Sequence, residues 1–382
     1  MYQLNAEEFN PEEFLTKYWQ KKPLVIRQGF KNFQDPISAD EIAGLACEEE
    51  VESRLVYKEG EQWQAQFGPF DSYQHLGDKN WSLVVQALDH WSEEAAQMIE
   101  PFRFIPQWRL DDLMVSFATP GGGVGPHIDW YDVFICQGSG KRHWRVGDKG
   151  QHREYAAHPA LLHVEPFEAM IDVELAPGDI LYIPPGFPHE GITLETSLSF
   201  SVGFRAQSAV SLLSGLADHL IDHEQGGELI SDPEREISQY SGAINHADFA
   251  MIKQQITSLT QDNDMLRDFI GSFYTQAKHE LDLQAHNELI ETEHVIFAMT
   301  EHNLMRLGGL RAFYFPETLL QGLCYINGSA AKFPAAIAPI VQLMCDQVVV
   351  STEQLKPWLK NRDFIDFIAQ QVTAGYWYFS DS

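Results

Sequence analysis

The sequence predicts an α+β protein in which a barrel or sandwich of short strands lies among helical segments. Two observations indicate this class. Short alternating or β-branched runs, such as LMVSFAT, DVFICQ, ILYIP and LSFSVGFR, follow one another from about residue 109 to residue 205, with Gly and Pro clusters between them. Segments with apolar residues at helical spacing precede and follow this region.

Composition limits the classes of protein to consider. The chain has 382 residues, of which 44% are hydrophobic, enough for two or three domains with buried cores. No apolar run is long enough to span a membrane and the start MYQLNAEEF does not resemble a secretory signal, so we expect a soluble, cytoplasmic protein without membrane contact. The four cysteines lack C-x-x-C spacing, and we expect them to be reduced core residues.

The formal net charge of −29 bears on the choice of partner. Such a surface repels nucleic-acid phosphates and attracts basic polypeptides, so we expect no direct contact with nucleic acid. On charge alone, a solubilising surface without a specific partner is the simpler explanation of this composition.

The first hundred residues predict a helical cover for the sheet. Asn10 can cap a helix that starts at Pro11, and Pro23 ends this segment before a strand at 24–26. Further helices are predicted at 39–46 and, from the spacing of apolar residues in WSLVVQALDHW, at 81–91. We assign residues 1–100 to this cover and 101–205 to the barrel. The GSG at 138–140 predicts a hairpin between DVFICQ and KRHWRVG.

Beyond residue 205 the strand signals stop. Residues 206–283 predict amphipathic helices, the first with Leu213, Leu216, Leu220 and Ile221 on one stripe. Residues 284–382 mix strands and helices as a winged helix does. This part has no basic stripe, so we expect a structural or protein-binding module rather than a DNA-binding one.

A candidate metal site lies in TPGGGVGPHIDWYDVF. In an extended strand, His127 and Asp129 leave the same face and can bind one ion. His189, after the strand-like ILYI and a loop rich in proline, is the third candidate ligand. Two histidines and one carboxylate form the facial triad of non-haem Fe(II) oxygenases. A second H-x-D, His246 and Asp248, falls at a predicted helix start and is interpreted as incidental.

An oxygen-activating Fe(II) site needs two further electrons, which 2-oxoglutarate supplies, and the remote carboxylate of that co-substrate needs a cation. Arg142, the first residue of the strand after GSG, is the preferred candidate, with Lys141 and Arg145 as rivals. Strand alternation puts Ser116 on one face with Met114, where its hydroxyl can assist in binding.

Two further residues are candidates for substrate contact. Asp112 falls on the face of Ser116 and could meet a cationic side chain, although a solvated strand-end aspartate is an equal alternative. Tyr131 and Trp130 follow the ligand pair directly and could line a substrate channel or pack in the core.

HIDWYDVFICQGSGKRHWRVG and PGDILYIPPGFPHEG, preceded by YWQKKPLVIR, closely resemble the JmjC-type 2-oxoglutarate oxygenases, specifically the bacterial ribosomal oxygenases. The resemblance covers nearly the whole chain. It implies a double-stranded β-helix (cupin-like) domain, a helical dimerisation region and a C-terminal winged helix, assembled as a homodimer.

The resemblance also implies chemistry. Fe(II), 2-oxoglutarate and O2 would serve to hydroxylate the β-carbon of an arginine in a basic ribosomal protein of the large subunit (uL16). His127, Asp129 and His189 would be the iron ligands and Arg142 the co-substrate anchor. Two alternatives remain open from the residues themselves: hydroxylation of histidine or asparagine, or demethylation, on the same scaffold, and a non-enzymatic metal-binding interaction module.

Overall fold

The computed structural model describes residues 2–380. The chain forms two compact units. The first runs to Ala206 and includes His279–Asp282, and the second comprises Gln207–Lys278 and the residues from Leu283 onward. The sequence predicts two regions in this second unit, residues 206–283 and 284–382. That finer division stays a prediction.

The strands of the first unit run from residue 24 to residue 204. They are β1 Leu24–Ile26, β2 Ser53–Glu59, β3 Gln62–Phe67, β4 Trp81–Val85, β5 Leu110–Ala118, β6 His127–Ile128, β7 Asp132–Gln137, β8 Arg142–Gly147, β9 Glu154–His158, β10 Leu161–Val164, β11 Ala169–Leu175, β12 Ile180–Ile183, β13 Pro188–Thr193 and β14 Ser197–Phe204.

Two antiparallel sheets face each other in this unit. The larger has the order β1-β12-β7-β14-β5-β4-β2-β3 and the smaller β11-β8-β13-β6, with β9 and β10 as a separate pair. In β7, Val133 and Ile135 join a core with Trp144 and Val146 of the smaller sheet. Phe134 and Cys136 face the opposite way, into the other core. Strand β7 and its neighbour β12 are therefore buried on both faces, which explains their nearly continuous apolar runs.

The predicted hairpin at residues 138–140 is wrong. β7 pairs with β12 and β14, whereas β8 pairs with β11 and β13, so the GSG turn carries the chain from one sheet to the other. The carboxylate of Asp35 accepts a hydrogen bond from Ser139 N, with 3.1 Å between Ser139 N and Asp35 Oδ1. Sequence spacing alone does not distinguish such a crossing from a hairpin.

Four short helices belong to the first unit: α1 Pro11–Lys17, α2 Ala39–Leu45, α3 Leu88–Trp91 and α4 Glu93–Ala96, with 3-10 turns at Glu100–Phe102 and Gln107–Arg109. α1 begins after Asn10, whose side chain accepts from Glu13 N, as predicted. Phe14 packs its ring against Phe134 and Tyr182 of the larger sheet.

The helical cover predicted for residues 1–100 is wrong in its middle. Residues 53–85 contribute β2, β3 and β4, which extend the larger sheet beyond β5. Trp81–Val85 of the predicted helix at 81–91 is strand β4, and only Leu88–Trp91 is helical. A short apolar run such as WSLVV fits a buried strand and a helix equally well, so periodicity could not decide between them.

The second unit contains the remaining elements. Its helices are α5 Ala209–Asp222, α6 His246–Ser258, α7 Asn263–Thr275, α8 Thr292–Glu301, α9 Pro316–Leu319, α10 Ala338–Asp346, α11 Thr352–Leu355 and α12 Arg362–Thr373, with 3-10 turns at Ala335–Ile337 and Lys356–Trp358. Its strands are β15 Asn303–Arg306, β16 Ala312–Phe313, β17 Leu323–Ile326, β18 Ser329–Lys332, β19 Val349–Val350 and β20 Trp377–Ser380.

The C-terminal strands form two three-stranded sheets, β19-β15-β20 and β16-β17-β18. Helix α10 lies between β18 and β19 in the chain and α12 between β19 and β20, which confirms the mixture of strands and helices predicted for residues 284–382. Cys136, Cys324 and Cys345 are buried free thiols as expected, but Cys47 is exposed. Within residues 2–380, no helix combines the length and the apolar character that a membrane span requires.

Candidate functional site

Two neighbouring strands of the smaller sheet bring the predicted metal ligands together. β6 pairs with β13, and His127 lies directly opposite His189 in this pairing. Asp129 follows the end of β6. His189 follows the proline-rich loop and is the second residue of strand β13, so both histidines are held by sheet hydrogen bonding.

The three donor groups converge on one point. Asp129 Oδ2 lies 3.8 Å from His127 Nε2 and 3.6 Å from His189 Nε2. One ligand atom from each residue lies within 4.8 Å of the other two, so a single ion between them could bind all three. These are the donors of the 2-His-1-carboxylate set that binds Fe(II) and leaves coordination positions open.

The ring orientations favour metal binding. Nδ1 of His127 lies 2.9 Å from Gly125 O, and Nδ1 of His189 lies 3.0 Å from Phe187 O. Because each Nδ1–H donates to a carbonyl, each Nε2 keeps its lone pair for an ion. Burial lowers the pKa of His189 to about 4, with the nearby His127 adding to the effect, so this imidazole is neutral at pH 7.

A cavity of about 260 Å³ opens beside these donors and is lined by residues of both sheets. Its lining includes Met114 and Ser116 of β5, which confirms the predicted face of that strand. Leu113 and Val115 point the other way into the apolar core. The cavity also contains Arg142, on the strand next to that of His189.

Arg142 is a buried cation without a buried anion. It donates from Nε to Ser197 Oγ at 2.8 Å, and from Nη1 and Nη2 to Ser116 Oγ and O at 3.2 and 2.6 Å. No carboxylate of residues 2–380 forms an ion pair with it. Burial lowers the pKa of the guanidinium to about 9, and the group stays charged at pH 7. Ser116 and Ser197 fix the orientation of the Arg142 guanidinium, and the positive charge of this group is available to an anion in the cavity.

The two rival cations lie elsewhere. Lys141 is exposed. Arg145 pairs with Asp172 and Glu190 at 3.7 and 3.9 Å, and neither Lys141 nor Arg145 is part of the cavity lining. Of the three cations considered from the sequence, Arg142 alone shares the cavity with the metal donors.

Of the two predicted substrate contacts, Tyr131 lines the cavity. Burial raises the pKa of Tyr131 well above its usual range, and the carboxylates of Asp129 and Asp112 add to the shift. Asp112 is not part of the lining; its carboxylate accepts from Ala87 N at 3.2 Å and lies 3.8 Å from His279 Nε2. Trp130 is 69% exposed.

Several lining residues were not found from the sequence. Arg54 comes from β2, a strand that the sequence analysis had assigned to helical cover. Ser199 and Ser201 of β14 follow the period-2 alternation of LSFSVGFR and could have been found from it. His163 of β10 lines the cavity as well, and no pattern in LLHV distinguishes it from a core histidine.

The glycine-rich approach to His127 has a steric cause. Gly125 has φ +83°, and a Cβ there would lie 2.2 Å from the ring of His163. That ring is hydrogen-bonded through Nε2 to Val124 O at 2.9 Å. Glycine at 125 therefore allows the loop to pass over His163 and to present its carbonyl to His127.

The second H-x-D pair is incidental, as predicted. His246 is the first residue of α6, and Asp248 forms a capping box with Asn245. Asp248 also pairs with Arg235 at 2.7 Å. Neither residue belongs to a metal-compatible cluster within residues 2–380.

Comparisons with known sequences agree on two modules. Residues 97–212 match the family model described as a JmjC domain, and residues 258–378 match a ROXA-like winged helix. The chain is similar to the ribosomal protein uL16 3-hydroxylase of Escherichia coli, with 44% identity over 99% of both chains. A probable ribosomal oxygenase of Haemophilus influenzae is 36% identical over 75% of this chain and 67% of that protein.

Solved structures give the same result. An X-ray structure of E. coli YcfD matches with a TM-score of 0.93 and 44% identity, covering 99% of this chain and 100% of that one. YcfD, described as a ribosomal oxygenase, has also been solved in complex with cobalt and 2-oxoglutarate; that structure matches with a TM-score of 0.90 and 43% identity over 100% of both chains.

Proposed function

The chain belongs to the JmjC-domain ribosomal oxygenases that carry a ROXA-like winged helix, and we propose that it is an Fe(II)- and 2-oxoglutarate-dependent dioxygenase that hydroxylates an arginine β-carbon of the ribosomal protein uL16. One observation supports the chemistry above all. A 2-His-1-carboxylate donor set and a buried, unneutralised guanidinium line the same cavity.

His127, Asp129 and His189 are the residues that would hold the iron. When bound there, Fe(II) activates O2, with 2-oxoglutarate supplying two electrons by oxidative decarboxylation to succinate. The protein contributes two imidazoles whose Nδ1 atoms face backbone carbonyls, together with one carboxylate, all held before the metal arrives. The structures of the relative YcfD with cobalt and 2-oxoglutarate support this assignment.

Arg142 would bind the remote carboxylate of 2-oxoglutarate. Its guanidinium is oriented by Ser116 and Ser197, so a bidentate contact with a carboxylate costs little further ordering. Ser116 also lines the cavity, and its hydroxyl is in position to donate to the same carboxylate. The buried setting keeps water away from this pair, which strengthens it.

The substrate proposal uses the name of the relative together with the charge of this chain. The E. coli relative is a uL16 3-hydroxylase, and position 3 of an amino acid is its β-carbon. A net charge of −29 would speed the encounter with a basic ribosomal protein. Tyr131, at the cavity wall, is the proposed substrate contact, and Asp112 behind it would contribute negative charge rather than direct contact.

Mass spectrometry of ribosomal proteins from cells with and without the gene tests this function. The proposal predicts that one arginine of uL16 carries an additional oxygen atom only when the gene is present. An additional oxygen on a histidine or asparagine, or the loss of methyl groups from basic side chains, would instead support the other activities of this scaffold. Purified protein that turns over no 2-oxoglutarate with Fe(II) would support a non-enzymatic metal-binding module.

We also propose that the second unit mediates a homodimer. Several large apolar side chains of its helices are exposed in the single chain, among them Leu213 and Ile221 of α5 and Phe249 and Ile256 of α6. The sequence predicted one apolar stripe on α5, yet only Leu216 and Leu220 of that stripe are buried. A second copy of the chain would cover the rest.

Light scattering with size-exclusion chromatography tests the dimer. The wild-type protein is expected to have twice the mass of one chain, and Ile221→Asp together with Ile256→Asp is expected to yield a folded monomer. A monomeric wild type at micromolar concentration would overturn the proposal.

Because ribosomal proteins are made in the cytoplasm, we place the enzyme there.

A further inference from the structure

A second set of metal-compatible side chains lies in the second unit, on helices α5 and α7. His219 lies in the last turn of α5, His223 is the C-cap of that helix four residues later on the same side, and Asp268 lies on α7. One ligand atom from each lies within 4.8 Å of those of the other two. His219 Nε2 is 3.6 Å from Asp268 Oδ2. The two imidazole rings have centroids 4.1 Å apart.

The histidines differ in how they are held. The Nδ1 of His223 lies 2.8 Å from the carbonyl oxygen of His219, so that nitrogen donates its proton and Nε2 retains a lone pair. The His219 side chain is 9% exposed, whereas His223 at the end of α5 is exposed. Burial and the neighbouring His223 lower the pKa of His219. A partly buried imidazole and an adjacent carboxylate are suitable ligands for an ion.

The surroundings give a bound ion a structural role. Beneath the cluster, α5 and α7 meet through a small apolar group of three buried residues, Leu216, Leu220 and Phe269. Asp222 adds negative charge close to His219. An ion held by both helices would cross-link them above this small core.

We propose that His219, His223 and Asp268 form a second divalent transition-metal site that joins α5 to α7, separate from the catalytic donors. Two imidazoles and one carboxylate select zinc, or a similar borderline ion, over magnesium or calcium, which prefer oxygen ligands. A tetrahedral zinc would complete its shell with a water molecule. The H-x-x-x-H spacing on a helix is the arrangement in which two histidines bind one zinc ion.

Zinc titration of the full-length protein by calorimetry separates this site from the catalytic one. The double variant His127→Ala/His189→Ala removes catalytic ligands and is expected to bind about one Zn²⁺ per chain, against about two for the wild type. Adding His219→Ala to the double variant is expected to lower the remaining affinity at least about tenfold, the least that loss of a direct ligand costs. His75→Ala, at an exposed histidine outside both clusters, is the matched control and should bind as its parent does.

Two outcomes would overturn the proposal: no zinc binding by the folded double variant at micromolar metal, or binding that His219→Ala leaves unchanged. If the double variant does not fold, His219→Ala/His223→Ala in the otherwise wild-type chain replaces it, and this variant must lose one of two bound ions. The same variant is expected to keep its Fe(II)-dependent turnover of 2-oxoglutarate and to show a smaller rise in melting temperature with Zn²⁺ than the wild type does.

Discussion

The guanidinium of Arg142 carries a positive charge into a cavity where its partners among residues 2–380 are hydroxyl and carbonyl oxygens. Burying a charge without a counter-ion is costly, and such an arrangement persists in proteins when a ligand supplies the opposite charge. The carboxylate of 2-oxoglutarate would satisfy that requirement. The lack of an anionic partner for Arg142 among residues 2–380 therefore supports its assignment as the residue that binds 2-oxoglutarate.

Arg142→Ala should weaken binding of 2-oxoglutarate by roughly 1.5–3 kcal/mol, the contribution of a hydrogen bond to a charged group, or about tenfold or more in apparent KM. The measurement is succinate formation as a function of 2-oxoglutarate concentration at saturating Fe(II). Arg145→Ala removes a guanidinium outside the cavity lining and is the control. An unchanged KM in Arg142→Ala would contradict the assignment.

Asp129→Ala should reduce Fe(II) affinity at least about tenfold and abolish hydroxylation while the circular dichroism spectrum is retained. The reason is that Asp129 is the one anionic donor of the three. The other H-x-D pair offers a matched control, since Asp248→Ala removes the N3 carboxylate of the capping box of α6 and should cost about 1 kcal/mol of stability without affecting iron binding. Full activity in Asp129→Ala would refute the role of this carboxylate.

At the scale of elements, the loop before β6 determines where His127 lies. Gly125→Ala places a methyl group against the ring of His163 and forces alanine into the left-handed region, a cost of about 1–2 kcal/mol from the backbone alone. We expect a lower melting temperature and weaker metal binding together, because the Gly125 carbonyl orients His127.

Gly44→Ala is the matched control for this substitution. Gly44 lies in α2, and a Cβ at this position meets no atom within 4 Å. Alanine there should stabilise the protein by about 0.5–1 kcal/mol and leave metal binding unchanged. Equal effects of the two substitutions would show that the loop geometry does not matter.

Helix α1 is held to the larger sheet by one side chain above others. Phe14 is 1% exposed and its ring centroid lies 4.7 Å from that of Tyr182 and 5.2 Å from that of Phe134. Phe14→Ala should lower the free energy of unfolding by about 3–5 kcal/mol, measured by chemical denaturation. Leu15→Ala, next to it but exposed, should change stability by only about 0.5 kcal/mol. If Phe14→Ala lowered the free energy of unfolding by less than about 0.5 kcal/mol, this packing would be contradicted.

For the whole molecule, the sequence predicted those features that depend on local chemistry. Strand alternation, and residue types that suit iron and carboxylate, predicted the metal-compatible cluster of His127, Asp129 and His189, the place of Arg142 in the same cavity and the face of β5 that carries Ser116. Pairing between distant strands was not predictable in this way. The crossing at residues 138–140 depends on Asp35, more than a hundred residues away, and β4 is a strand because β5 and β2 lie on either side of it.

The same limit applies to the cavity wall. Arg54 lines the cavity only because β2 joins the larger sheet. The sequence predicts helical cover for this segment, so it gives no reason to expect Arg54 at the cavity. Asp112 shares the strand face of Ser116 but lies four residues nearer the start of β5, where its carboxylate accepts from Ala87 N and does not line the cavity. Alternation gives the face of a strand, whereas the position along it depends on the rest of the fold.

The measurement that tests the central claim most directly is a crystal structure of the protein with Mn²⁺ in place of iron and with 2-oxoglutarate. We predict one metal ion bound by His127 Nε2, Asp129 and His189 Nε2, with the remote carboxylate of 2-oxoglutarate on Arg142. An absence of metal from these three donors, or a 2-oxoglutarate carboxylate bound away from Arg142, would contradict the account.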